Sequence, residues 1–152
     1  MPFYTTKELV DSVFDIAMPT LSRIMENSKG NLAIIFHPAD MDLDEEPFYS
    51  KYFGDPQQRD KYHAFALAKA RLSARTGLDT SVIISQFPDM LEAGDCIYGG
   101  GIDRDDIIVA ASGLSEIRDE TCCEVIASIY FMLIKEVHQE RLKLASETGF
   151  IS

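Results

Sequence analysis

The spacing of apolar residues predicts a helix near the start of the chain. Apolar residues recur every three or four positions after Thr5, and Glu8 follows Thr5 at the spacing of a capping box. Pro19 should kink or interrupt this helix, because proline lacks the N–H that a helical hydrogen bond needs. The apolar pattern resumes beyond Pro19, and Gly30 should end the helix.

The same periodicity predicts a second helix in the middle of the chain and a long third helix near its end. Asp55 is a capping residue and Pro56 suits the first helical position, so the second helix should run to about Thr76. Its many alanines should let it lie close to a sheet. The third helix should span residues 116–146, with its charges arranged as the helix dipole favours.

Short runs of branched and aromatic residues predict strands between these helices. The runs cover residues 31–37, 48–53, 96–98 and 107–111, and the charged residues 103–106 should form the turn of a hairpin. Short helical turns are expected at residues 81–85 and near Met90. This order of elements predicts one α+β domain over residues 1–152, with an antiparallel sheet covered by helices.

Composition narrows the class of protein. The 152 residues carry a net charge of −11, which disfavours nucleic acid and anionic membranes as partners. The three cysteines lack the spacing of a disulfide framework or a metal site, which favours free thiols in a reducing cytoplasm. The first residues lack a signal-peptide pattern, and the apolar run at 125–134 is too short to cross a bilayer. We therefore expect an acidic cytoplasmic protein.

Three consecutive glycines at residues 99–101 are the most unusual local feature. A phosphate-binding loop would lead from glycines into Gly-Lys-Ser/Thr at a helix start, whereas these lead into Ile102 and an acidic turn. Glycines within a strand mark either a bulge or a place where backbone or ligand approaches closely. Both interpretations remain open from the residues alone.

Three further features could carry chemistry. Lys69 stands among alanines, so it either reaches a ligand or carboxylate at the sheet edge or lies with its ammonium in solvent. His63 could be a surface residue, a core residue, or a ligand to a metal or haem iron. Cys122 and Cys123 begin the last helix, where the dipole could lower a thiol pKa, although core packing is the simpler interpretation.

Several of these residues occur in an order that resembles a known superfamily. The succession over residues 60–130 is similar to the haem-degrading superfamily, which includes GlcG, HbpS and the carboxy-terminal domain of PduO-type adenosyltransferases. The resemblance implies a profilin-like or PAS-like α-β-α sandwich with a mainly antiparallel five-stranded sheet, often assembled into homo-oligomers. The stretches that carry it are Ala66-Leu-Ala-Lys69-Ala70, Thr80, Gly99-Gly-Gly101-Ile102, Ser112-Gly113-Leu114 and Asp119.

The first functional hypothesis is a domain that binds a small ligand or assists a sensor, with haem as a candidate ligand and His63 as its iron ligand. The second is a small enzyme or enzyme subunit acting on an organic acid or cofactor fragment, which requires a titratable group with a shifted pKa in the pocket. The third is a structural module of a homo-oligomer. The sequence favours binding over catalysis. The expected pocket consists of Lys69, Gly100, Gly101, Ser112 and Gly113.

Overall fold

A central antiparallel sheet organises the chain, of which the computed structural model describes residues 5–44 and 46–151. In this described part the sheet has four strands in the order β2-β1-β4-β3. Helices α1 and α4 pack together on one face, and helix α2 covers the other. The elements are α1 Lys7–Met25, β1 Leu32–Pro38, β2 Tyr49–Phe53, α2 Arg59–Thr76, α3 Thr80–Gln86, β3 Gly101–Arg104, β4 Ile107–Ser112 and α4 Glu116–Ala145.

The central strands β1 and β4 are buried throughout because helices cover both faces of the sheet. Ile34 and Val109 belong to the larger core, which α1 and α4 complete. Ile35 belongs to a smaller core, where Ala66 and Ala70 of α2 contribute little more than a methyl group each. The alanines therefore let α2 lie close to the sheet, as the sequence predicts.

The described sheet has four strands rather than the five that the resemblance implied, and the strand predicted at 96–98 lies instead at Gly101–Arg104. The run at 96–98 was predicted to pair, but the side chains of Ile97 and Tyr98 are 61% and 49% exposed, and neither residue joins the sheet. Gly100 has φ +121°, a conformation open to glycine, so the chain turns there and the strand begins at Gly101. The antiparallel α+β class is confirmed, with four strands in place of five.

Helix α1 differs from its prediction at its N-cap, at Pro19 and at its end, because the last helical residue is Met25 and Glu26 is the C-cap rather than Gly30. Its N-cap is Thr6, whose Oγ1 accepts a hydrogen bond from Leu9 N at 3.1 Å, rather than Thr5. Thr5 is instead buried against the hydroxyl of Tyr130. Pro19 neither ends nor divides the helix, which continues to Met25. Buried residues on both sides of Pro19 hold the two halves in the core, and this packing outweighs the missing hydrogen bond.

The other helix boundaries follow the sequence closely. Asp55 caps a 3₁₀ turn at Pro56–Gln58 that leads into α2, and Gly77 ends α2 with φ +71°. The predicted turns in the middle of the chain are α3 and a second 3₁₀ turn at Pro88–Met90. The apolar run at 125–134 packs within α4 against α1 and the sheet. Among the described residues, no helix is both long and apolar enough to cross a membrane.

Candidate functional site

A buried ion pair lies where α2, β4 and α4 meet. Lys69 Nζ donates a hydrogen bond to the carbonyl oxygen of Ala111 at 2.9 Å and lies 3.3 Å from Asp119 Oδ2. The side chains of Lys69 and Asp119 are 2% and 3% exposed. Lys69 therefore does not extend into solvent from α2, and the open alternative is settled in favour of a carboxylate at the end of the sheet.

Asp119 is held from two sides within the first turn of α4. Its Oδ1 accepts a hydrogen bond from Leu114 N at 2.9 Å, while Oδ2 faces Lys69. Burial raises the pKa of the Asp119 carboxyl, and the Lys69 ammonium and the backbone N–H groups of Leu114 and Gly113 oppose that rise. Asp119 thus links α2 to the turn before α4.

The glycines at 99–101 make room for this pair. A Cβ on Gly100 would stand 2.8 Å from the carbonyl oxygen of Ala111 and 3.0 Å from Lys69 Nζ. A Cβ on Gly101 would stand 2.9 Å from the carbonyl oxygen of Lys69. These distances are too short for a side chain, so the glycines let the strand approach α2. Both lie behind Lys69, outside the set of residues that line the cleft described next.

A cleft of about 790 Å³ opens above the ion pair, between α2 and the start of α4. Lys69, Asp119, Ser112 and Gly113 contribute to its lining, so three of the five predicted pocket residues meet there. Its volume falls in the range of about 300–1,000 Å³ that is typical of small-molecule sites. The lining residues are Asn27, Ser28, Lys29, Tyr62, Phe65, Lys69, Tyr98, Ser112, Gly113, Leu114, Ser115, Glu116, Arg118 and Asp119.

Aromatic side chains line one side of the cleft. Tyr62 and Phe65 come from α2, and Tyr98 comes from the loop before β3. The rings of Phe65 and Tyr98 lie 6.3 Å apart between centroids, with an interplanar angle of 57°. Phe65 is 38% exposed although it has no polar atom. A flat organic ligand would find apolar surface here.

Ser112 supplies a polar group at the bottom of the cleft. It is the last residue of β4 and is 7% exposed, on the same side of the strand as Ala110, which packs against α2. Within the described residues its Oγ makes no hydrogen bond. The Oγ is accessible from the cleft, so a ligand atom or water can bond to it, whereas the fully buried hydroxyl without a partner in the described part is that of Ser73.

Gly113 fixes the turn that follows Ser112. Its φ is +138°, and a Cβ would stand 2.1 Å from the carbonyl oxygen of Asn31. Only glycine fits such a position. Ser115 then caps α4, because its Oγ accepts a hydrogen bond from Arg118 N at 3.2 Å. This turn directs the N-terminus of α4 toward the cleft.

His63 lies elsewhere. It is half-buried on α2 and is not among the residues that line the cleft. In residues 5–44 and 46–151 no cluster of three or more His, Cys, Asp or Glu side chains could hold a metal ion. The vicinal cysteines also differ from the reactive alternative, since burial raises the pKa of Cys122 to about 12 and raises that of Cys123 as well.

The aromatic lining was not predicted from the sequence as part of the site. Tyr62, Phe65 and Lys69 stand at positions i, i+3 and i+7 of α2, so they share one helical face. That spacing was available as a signal, but only Lys69 on this face of α2 was considered from the sequence as a site residue. Tyr98 was assigned to a strand, and its loop position could not be foreseen from local pattern.

Solved structures of other proteins share the fold of this chain. No family model matches the sequence, and no curated protein matches it significantly. Klebsiella pneumoniae protein ORFY, described under family DUF336, matches with a TM-score of 0.61 and 12% identity over 83% of this chain and 90% of that one. The chain has a DUF336-like fold. Protein Ybr137w matches with a TM-score of 0.57 and 14% identity over 79% and 77% of the two chains.

A third solved structure with this fold is a PduOC:heme complex. It matches with a TM-score of 0.53 and 14% identity, covering 82% of this chain and 94% of that one. The predicted resemblance to GlcG-like and PduO-type domains is therefore confirmed at the level of the fold. At these identities the likeness concerns the fold, while ligand and activity depend on the site.

Proposed function

We propose that this DUF336-like domain binds a small, flat organic ligand in the cleft between α2 and the N-terminus of α4. The observation that carries the proposal is the pairing of an aromatic side with the unpartnered hydroxyl of Ser112, which faces the cleft from a residue that is 7% exposed. Phe65 and Tyr98 offer stacking surface, and Ser112 offers a hydrogen bond that orients the ligand. Pockets of this composition recognise apolar bodies with few polar groups.

Lys69 has a double role in this proposal. Its ammonium carries three N–H donors, and two of them are directed to Ala111 and Asp119. The third donor can serve a ligand atom next to Ser112, since Lys69 also lines the cleft. Gly100 and Gly101 contribute by leaving space for Lys69 and do not contact the ligand.

Haem is the specific candidate that the solved neighbour suggests, because that structure is a heme complex. A porphyrin is flat, and its propionates are anionic, which suits an aromatic side and polar bottom. The lining residues include no histidine, cysteine or methionine, so they offer no imidazole or sulfur ligand to iron. His63, the predicted iron ligand, would have to coordinate from outside the cleft.

A haemin titration tests whether the cleft binds a flat ligand and whether haem is that ligand. We expect a saturable Soret change at one haemin per chain that Phe65→Ala weakens. Phe87→Ala is the matched control, because Phe87 is also exposed, at 42%, but does not line the cleft. Loss of the signal in His63→Ala would support coordination by that imidazole. Equal binding by the wild type and Phe65→Ala would contradict binding in the cleft.

The enzyme hypothesis required a titratable group with a shifted pKa in the pocket, and Asp119 is such a group. Its two oxygens already accept hydrogen bonds from Lys69 and from Leu114 N. A general acid or base must lie within hydrogen-bond distance of the substrate proton that it transfers. Both oxygens of Asp119 are instead bonded to groups of the protein. We therefore assign Asp119 to positioning Lys69 and the turn before α4.

A second candidate function is an oligomerisation module, favoured by exposed apolar residues in the last part of α4 and beyond it. Leu142, Leu144 and Phe150 are 63%, 61% and 79% exposed. If this segment joins subunits, Leu142→Ser with Leu144→Ser should lower the mass measured by sedimentation equilibrium. Ile16→Ser, at an exposed position of α1, is the control. A wild-type mass of 17.0 kDa would refute this function.

A further inference from the structure

The geometry points to an oxyanion subsite at the N-terminal end of α4, where a carboxylate or phosphate group of the ligand binds. This inference rests on the proposed function and names the chemical class of its ligand. The subsite consists of the first-turn amides of α4, the hydroxyl of Ser112 and the ammonium of Lys29. It adjoins the loop that carries Tyr98, because Gly99 N donates a hydrogen bond to Glu116 Oε1 at 2.7 Å.

The amides at the start of α4 supply the first component. The first N–H groups of an α-helix have no acceptor within the helix, and together they carry a partial positive charge. Ser115 Oγ satisfies Arg118 N, and Asp119 Oδ1 satisfies Leu114 N. The first-turn amides at residues 116 and 117 have no such intrahelical partner. Of these two residues Glu116 lines the cleft, so an anion next to Ser115 could accept a hydrogen bond from its N–H.

Ser112 is the independent observation that indicates a ligand here. The residue is 7% exposed and lines the cleft, and its Oγ faces the cleft without a hydrogen bond among the described residues. A helix N-terminus alone is common on protein surfaces. Ser112 Oγ is reached from the cleft, unlike Ser73 Oγ, which is fully buried without a partner among the described residues. Ser112 therefore presents a free hydroxyl to a ligand beside the helix start.

The charges at this end of the cleft favour an anion although the protein is strongly acidic. Lys29 lines the cleft and forms no ion pair within the described chain. Arg118 also lines it, with Nη1 donating to the carbonyl oxygens of Ile24 at 2.7 Å and Glu26 at 2.9 Å. These bonds hold the guanidinium beside the helix start, between α1 and α4. Lys29 and Arg118 therefore both line this cleft in a protein of net charge −11.

The two carboxylates nearby are already engaged. Glu116 Oε1 accepts a hydrogen bond from Gly99 N at 2.7 Å, which directs it to the loop before β3. Asp119 also lines the cleft, where it is paired with Lys69. Both carboxylates are therefore engaged by donors of the protein itself. The ligand that fits the whole cleft is a flat organic acid or phosphate, with its ring packed against the side chains of Phe65 and Tyr98.

Three small probes, followed by backbone amide NMR shifts, test the anion subsite and the aromatic side of the cleft separately. Inorganic phosphate tests the anion subsite alone, benzamide tests the aromatic side alone, and benzoate tests both. We expect phosphate and benzoate to shift the amides of residues 115–117 saturably. We expect benzoate to bind more tightly than benzamide, which is its neutral counterpart of similar shape. Phosphate and benzoate also distinguish the two anion chemistries by their relative affinities.

Matched lysine variants test the electrostatic component. Lys29→Gln should weaken benzoate and phosphate binding roughly twofold to fivefold, the effect of one partly exposed charge. Lys51→Gln removes an exposed lysine from β2, outside the cleft, and should leave both affinities unchanged. Ser112→Ala should weaken both anions further without affecting benzamide at the aromatic side.

The results of these titrations test the anion subsite separately from the binding of a flat ligand in the cleft. Equal binding of benzamide and benzoate, with shifts confined to the aromatic side, would overturn the anion subsite and retain a flat-ligand cleft. Saturable phosphate shifts without any response to benzamide or benzoate would support the subsite and contradict the proposed function. Absence of saturable shifts with all three probes would overturn both.

Discussion

At the scale of single residues, Lys69 is the side chain on which the floor of the cleft depends. Its ammonium is buried with Asp119, and removing one partner of such a pair leaves an uncompensated buried charge. We expect Lys69→Met to lower the free energy of unfolding by about 3–5 kcal/mol, measured by urea denaturation. Lys51→Met, on the exposed face of β2, should change it by less than about 0.5 kcal/mol.

The double variant Lys69→Met with Asp119→Leu identifies the cause of that loss. It removes both charges, so it should be more stable than Lys69→Met alone, because an apolar pair can replace a buried ion pair. The two substitutions share a contact and should not be additive. Additive losses would show that packing, rather than the unpaired carboxylate, determines the cost.

Asp119 should also leave a signature in the pH dependence of stability. Burial raises the pKa of its carboxyl in the folded state, so the folded protein holds this proton more tightly than the unfolded chain does. That contribution is full below the unfolded value of about 4 and is lost as the pH rises through the folded pKa. Relative to Asp119→Asn, the wild type should lose free energy of unfolding as the pH rises from there.

The comparison with the amide variant isolates this group from the other carboxylates. Asp95, for example, has its pKa lowered by the hydrogen bond from Arg75, and it shifts the pH dependence in the opposite direction. Since both proteins retain Asp95, its effect cancels in the difference. A wild-type advantage that grows with pH, measured from urea midpoints, would contradict a raised pKa at Asp119.

Elements were predictable from the sequence where local chemistry determines them. Asp55, Pro56 and Gly77 start and end the segment around α2 through capping and backbone preference, which act over a few residues. Strand β3 was predicted at residues 96–98 because they have the apolar pattern of a strand, but these residues do not pair with the sheet. The register depends on Gly101 pairing with Ala110, a contact between segments that no local window contains.

Pro19 shows the same limit for helix α1, and it supports a prediction. The proline is exposed within a continuous helix, where it removes one hydrogen bond. Pro19→Ala should therefore raise the free energy of unfolding by about 1–3 kcal/mol, part of the intrinsic difference being offset by a more flexible unfolded chain. Thermal denaturation followed by circular dichroism measures this change.

A second proline provides the control. Pro56 occupies the first position of the turn that leads into α2, where its fixed φ is compatible and its N–H is not needed. Pro56→Ala should leave stability unchanged or lower it slightly. An equal gain at both positions would mean that proline acts through the unfolded chain rather than through the helix.

At the scale of the whole molecule, the cleft is assembled from segments far apart in sequence. The pocket residues that the sequence predicted are those tied to backbone geometry, such as Lys69 against the sheet and Gly113 in its turn. Tyr98 and Lys29 were missed because each lies in a loop whose position is set by the packing of neighbouring helices. Their positions in the sequence gave no indication that Tyr98 and Lys29 line the same cleft.

The reactivity of the cysteine thiols measures how readily the core around α4 opens. Cys122 and Cys123 are fully buried in the core between α4 and the sheet, and burial raises the pKa of both thiols. Thiolate is the reactive form, so both groups lack access and nucleophilicity in the folded state. Cys96 is 6% exposed in the loop before β3 and requires only a local opening.

We therefore expect iodoacetamide to label Cys96 well before Cys122 and Cys123 in the native protein, as followed by peptide mass spectrometry. The two helix cysteines should be labelled together, at a rate that rises with urea as the free energy of global unfolding falls. Lys69→Met should accelerate their labelling more than that of Cys96, because it destabilises the core that covers them. Rapid native labelling of Cys122 would instead mean that α4 opens locally, and a cleft floored by Asp119 on the same helix turn could not then be preformed.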